Sequence, residues 1–160
     1  MREKVQLPDH DFCFCQLGGV NGGTVFSEIP EKAMKTNEAT LNRPDGDRVI
    51  DAPYVMVDID GRIDQLKDEK AWDENDRNGI TLVKNDKQTI VLTCLHDGAE
   101  IKDNSVDGIL TIQVLKGSVE VTTEVDHFEL HKRSLITFRQ NIVHSVRSNG
   151  KSVLLLTTVL

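Results

Sequence analysis

Five histidines, three cysteines and a surplus of carboxylates are the side chains of this sequence with chemistry to offer. His144 stands in Ile142-Val143-His144-Ser145-Val146, an imidazole between β-branched neighbours. Such a group can shuttle protons near neutral pH or ligate a metal once a partner is brought to it; without one it is a hydrogen-bonded interior histidine. His96 closes the apolar run 89–95 and precedes Asp97-Gly98, so it can point into the same interior as His144 or cap the turn. Cys13 and Cys15 share one side of a short strand, with His10 nearby. A soft metal would need a further ligand and there is no second Cys pair, so two ordinary buried thiols are the better reading. Cys94 has no activating base beside it in the sequence. Asp58-Ile59-Asp60-Gly61 and Asp64 have part of a calcium-loop spacing but lack its terminal Glu, so they read as capping carboxylates at a helix start. Asp68, Glu69, Asp73, Glu74 and Asp76 read as the solvated face of that helix.

These groups need elements to position them. The chain has 160 residues, enough for one domain or for a domain with a structured extension. The helical spacing of Ile63, Leu66, Lys70 and Ala71, with charges between them, predicts one amphipathic helix over 61–76, stopped by Asn78-Gly79. Before it, 12–17 and 54–57 are strand candidates, 27–35 holds a helical turn or two, and Gly18-Gly19, Gly22-Gly23 and Asn42-Arg43-Pro44-Asp45-Gly46 mark turns. From residue 80 the pattern is strand after strand: 80–84, 89–95, 109–115, 118–125, 128–130, 135–138, 142–147 and 153–159. Lys116-Gly117 and Asn149-Gly150 read as tight turns between strands. The expected fold is all-β, closed or double-sheeted, with an N-terminal extension at 1–87 and the barrel at 88–160.

A formal net charge of −7 with no basic stripe argues against nucleic acid as a partner. No apolar run approaches the roughly 20 residues that span a bilayer, and Met1-Arg2-Glu3-Lys4 lacks a signal-peptide core. A cytoplasmic protein without membrane contact is expected, and three cysteines do not form a disulfide framework.

The stretch 108–121, G-I-L-T-I-Q-V-L-K-G-S-V-E-V, resembles the first motif of the cupin superfamily, and 135–146, L-I-T-F-R-Q-N-I-V-H-S-V, resembles the second. Together with the closing strand the resemblance covers about 95–160, and it implies a double-stranded β-helix, the cupin jelly roll. The part before residue 95 looks like the N-terminal extension of a small single-cupin family. Members of the superfamily hold a metal with two His and one Glu from the first motif and one His from the second. Residue by residue, His144 matches the second-motif His, whereas the first-motif positions fall near Asn104, near Val106 and at Leu110. Arg139 and Asn141 replace the usual Pro and Gly of the second motif.

One retained ligand makes a poor site for Zn, Fe or Mn. No cofactor is therefore expected, and a divalent metal has only His144 in its favour. Strand alternation puts Leu110, Ile112 and Val114 on one face, with Val119, Val121, Phe138, Ile142 and His144 also expected to face inward. The candidates for a ligand pocket are His144, His96, Asn104, Leu110, Gln113 and Phe138, although Gln113 has the parity opposite to Leu110 and faces away unless a bulge intervenes. A small molecule held in an aliphatic barrel, without catalysis, is the first reading. A metal-dependent isomerase or dioxygenase using His144 with His96 or Gln113 is the second, and a filled barrel with an assembly role the third. Unpaired sheet edges predict a homodimer, with a strand from 1–28 exchanged between protomers.

Overall fold

The computed structural model describes residues 35–38 and 48–160. The expected strand at 12–17, the helical turns at 27–35, the turn at 42–46, the Cys13/Cys15 pair and the exchanged strand lie wholly or largely outside the described residues. A two-stranded ribbon of β1 (Lys35–Asn37) and β2 (Arg48–Asp51) leads the described chain. Two helices follow, α1 (Ile59–Asp68) and α2 (Lys70–Glu74). Then come β3 (Arg77–Lys84), β4 (Gln88–Leu95), β5 (Glu100–Asn104), β6 (Ile109–Thr123), β7 (His127–His131), β8 (Leu135–Phe138) and β9 (His144–Val159). No helix among the described residues is long and apolar enough to cross a membrane.

The single helix expected over 61–76 is divided at Glu69, whose backbone is extended. Its carboxylate accepts hydrogen bonds from Gln65 Nε2 at 3.0 Å and from Asn78 Nδ2 at 2.7 Å. Asn78 is buried and also donates to the Leu66 carbonyl at 2.9 Å. The Asn78-Gly79 pair is thus not a helix stop: it lies inside β3 and ties the helices to the sheet. Asp58 takes the N-cap position of α1, but its side chain makes no capping bond. Residues 54–57 form no strand; Val55 and Val57 are half-buried while Tyr54 and Met56 face solvent.

Two long antiparallel strands organise the barrel. β6 and β9 pair along their whole length, from Ile109↔Val159 to Thr123↔His144. Lys116-Gly117 and Asn149-Gly150, expected as hairpin turns, are bends inside these continuous strands. Both glycines have φ of +80°, the left-handed region that glycine enters without a Cβ penalty. On either side of the bends the neighbours differ. The first half of β6 pairs with β8 and the second half with β7. The last half of β9 pairs with β4 and its first half with β5. The sheet therefore folds over itself into two layers, β3-β4-β9-β6-β8 and β5-β9-β6-β7. β3, which precedes residue 87, is hydrogen-bonded along most of its length to β4.

The inward-facing set of β6 changes parity at its bend, from Leu110, Ile112 and Val114 to Val119 and Val121. These side chains meet Leu95, Ala99, Leu130, Phe138, Val146 and Leu154 in one buried cluster between the layers. A second cluster lies outside the first layer, where Ile63, Leu66 and Trp72 of the helices cover Ile80, Leu82, Leu92, Cys94 and Val153.

Candidate functional site

The site grows from the pairing of β5 with β9. Ile101 lies opposite Val146 and Asn104 opposite His144. Two steps along β9 correspond to three along β5, so β5 carries one extra residue, a β-bulge. Asp103 takes up the irregularity at φ of +46°, and its N–H donates to Ser145 Oγ at 3.0 Å. Without the bulge Asp103 would face His144; with it, the neutral amide of Asn104 does.

His144 is only 2% exposed. Its Nδ1 lies 2.9 Å from the Ile142 carbonyl oxygen, which only accepts, so Nδ1 carries the proton. Nε2 is left with its lone pair and lies 3.2 Å from Asn104 Nδ2, which only donates. Both ring nitrogens are thus engaged in one tautomer. The ring stacks on Phe138, with centroids 4.5 Å apart and planes within 5°. Phe138 in turn pairs across the sheet with Leu110. Arg139 and Asn141, at the places of the usual Pro and Gly, lie in the turn into His144. Asn141 adopts φ of +61°, a conformation Asn tolerates better than most residues, and donates its N–H to the Val106 carbonyl at 2.8 Å. Gln140 bonds the Asp107 carboxylate beside it.

His144, Asn104, Phe138 and Leu110 are therefore brought together, with Val106 against the same cluster. His96 is not. Its ring stacks on Trp72 at 3.6 Å and its Nε2 bonds the Trp72 carbonyl at 2.9 Å, placing it with the helices outside the first layer. Gln113 keeps the parity opposite to Ile112 and Val114 and faces outward, half-buried. Ile142, expected inward, is exposed and contributes its carbonyl rather than its side chain. It joins Val143, Val125 and Phe128 in an exposed apolar rim at the His144 end, where Thr123 and His144 are paired. Cys94 is buried among the helix-facing residues, and burial pushes its thiol pKa up, which makes it a poor nucleophile. Asp60 belongs to no calcium loop: it bonds Lys116 Nζ at 2.9 Å, and this partner holds its carboxyl below the usual range. The bulge in β5 and the Ile142 carbonyl are the parts of the site that motif reading missed.

No protein-family model matches the sequence, and no curated protein matches it. Solved structures do. A cupin superfamily protein from Desulfitobacterium hafniense superposes with a TM-score of 0.52 at 19% identity, over 54% of this chain and 79% of that one. An RmlC-like cupin from Desulfovibrio desulfuricans gives 0.50 at 20% identity, over 54% and 84%. Another, from Shewanella frigidimarina, gives 0.50 at 15% identity, over 52% and 76%. The chain has the cupin fold.

Against the cupin ligand pattern, the donor set here does not suit a divalent cation. Nε2 of His144 faces an amide N–H, and the positions matching the other ligands hold an amide and two hydrocarbon side chains. A cation needs several charged or imidazole donors converging on one point. Among the described residues no group of three or more His, Cys, Asp or Glu is placed to hold one.

Proposed function

We propose that this cupin barrel is a non-catalytic binding module that holds a small, partly apolar molecule at its His144 end. The observation that carries this reading is the Asn104–His144 pair, which occupies the imidazole atom that a metal enzyme of this fold would need. The surroundings support it. Ile101, Val106, Ile136 and Leu156 are half-buried aliphatic side chains against the barrel core. The exposed rim of Val125, Phe128, Ile142 and Val143 offers a further apolar contact at the same end. Apolar walls with a few fixed polar groups are the usual composition of a small-molecule site. Phe138 and His144 supply a flat stacked surface, and the Asn104 amide oxygen supplies an acceptor that the His144 bond leaves open.

Native mass spectrometry of the gently purified protein, with metal analysis of the same sample, tests this. The expected result is a bound small molecule released on denaturation, weakened by Val143→Asp at the rim, with no stoichiometric metal. Near-stoichiometric iron, zinc, manganese or nickel that disappears in His144→Ala would establish the metal-enzyme reading instead. A ligand-free mass, with a thermal midpoint unmoved by a panel of uncharged small molecules, would establish a filled barrel.

A further inference from the structure

Asparagine followed by glycine can lose ammonia by a reaction of the chain with itself, because no Cβ shields the attacking glycine nitrogen. The sequence has three such pairs, Asn21-Gly22, Asn78-Gly79 and Asn149-Gly150. The first lies outside the described residues. Asn78 is buried in β3, where its amide donates to the Leu66 carbonyl and the Glu69 carboxylate, and Gly79 pairs with Thr93. Asn149 and Gly150 stand at the bend of β9, both exposed, so burial does not guard them. Two carboxylates from other parts of the fold hold them instead. Asp97 Oδ1 accepts the Gly150 N–H at 2.8 Å, and Glu120 Oε1 accepts from Asn149 Nδ2 at 3.0 Å. Asp97 is anchored by the backbone beside it, where Gly98 N–H donates to the Ser148 carbonyl at 3.0 Å and Ser148 N–H to the Ala99 carbonyl at 2.9 Å.

We propose that Asn149-Gly150 is a self-modification site of this chain, held unreacted by Asp97 and Glu120. The reaction is an intramolecular acyl transfer. The Gly150 nitrogen gives its proton to a solvent base and attacks Asn149 Cγ. The N–Cγ bond forms, the Cγ–Nδ2 bond breaks, and Nδ2 takes up a proton from water and leaves as ammonia. Water then opens the succinimide at one of its two carbonyls, giving aspartate or its β-linked isomer. Each carboxylate opposes one requirement of the ring closure. The Asp97 charge disfavours an anion on the Gly150 nitrogen and keeps its hydrogen engaged. Glu120 draws the Asn149 carboxamide across to β6, away from the nitrogen that would attack it. The β-linked product would insert one more atom into the β9 backbone, between the Lys116↔Val153 pair and the half that carries His144.

The intact chain, held in mildly alkaline buffer and then digested, reports each Asn-Gly pair separately by peptide mass and by elution of the two acid isomers. A synthetic peptide of residues 145–154 gives the unguarded rate. The folded wild type is expected to lose ammonia at Asn149 about ten-fold more slowly than the peptide, or slower still, the effect of hydrogen bonds to charged groups. Asp97→Ala and Glu120→Ala should each raise the rate by about five-fold or more, whereas Glu120→Gln, which keeps an acceptor oxygen, should stay near wild type. Asn78 in the same digests reports opening of the fold, and its rate should not move. Wild-type loss at the rate of the peptide overturns the proposal. So do two alanine variants of unchanged rate, or a rise at Asn149 matched in both variants by an equal rise at Asn78, which would assign the protection to folding alone.

Discussion

At position 104 an amide stands where the cupin pattern places an imidazole, and the bulge at Asp103 aims it at His144 Nε2. Removing the amide with Asn104→Ala leaves a buried acceptor unpaired, which costs about 1–3 kcal/mol. Urea denaturation should show that loss, whereas the same substitution at exposed Asn75 should show little. Supplying the missing donors should reverse the chemistry. A variant carrying Asn104→His, Val106→His and Leu110→Glu should bind zinc or manganese in calorimetry and gain thermal stability from the metal, while the wild type does neither. At this scale the sequence was readable where a motif fixed the count. His144 was located by its match to the second cupin motif, and Asn104 and Leu110 by their places in the first. The bulge was hidden because Glu100-Ile101-Lys102-Asp103-Asn104 is polar and looks like a loop. It becomes a strand through its pairing with β9, a partner forty or more residues away along the chain. The tautomer was hidden because it depends on the Ile142 carbonyl and the Asn104 amide, which only the folded chain sets against the two ring nitrogens.

Among the elements, β6 and β9 carry the architecture, and their bends rest on two glycines in different surroundings. A Cβ on Gly117 would lie 2.6 Å from the Lys151 carbonyl oxygen and 2.9 Å from the Ser152 Cα. A Cβ on Gly150 would meet nothing within 4 Å. Gly150→Ala should therefore cost only the left-handed backbone penalty, about 1–2 kcal/mol. Gly117→Ala should cost more, because backbone atoms of β9 must also move. Thermal unfolding of the two variants side by side checks the order. The strands themselves were legible from β-branched runs, but the glycines were misread as hairpin turns. A left-handed glycine serves a turn or a bend equally, and only the unbroken pairing of β6 with β9 separates the two. The helix was legible as an apolar stripe at Ile63 and Leu66. Its break at Glu69 was not, because the cause is Asn78 in the following strand.

The whole molecule has two buried clusters that share one sheet. Cys94 and Val153 face the helices, while their neighbours Leu95 and Leu154 face the barrel interior. The clusters should therefore unfold together. Leu66→Ala, at a fully buried position, should lower stability by about 2–5 kcal/mol while keeping a single transition, seen alike by far-UV dichroism and Trp72 fluorescence. Whether this molecule binds an organic ligand or turns over a substrate at a metal comes down to one nitrogen. Long-range proton–nitrogen correlation spectra of the labelled protein report which ring nitrogen of His144 carries hydrogen. The expected result is a proton on Nδ1, a bare Nε2, and signals unmoved by added zinc or manganese. A His144 Nε2 signal that shifts or broadens on adding either metal, at one ion per chain, would contradict it.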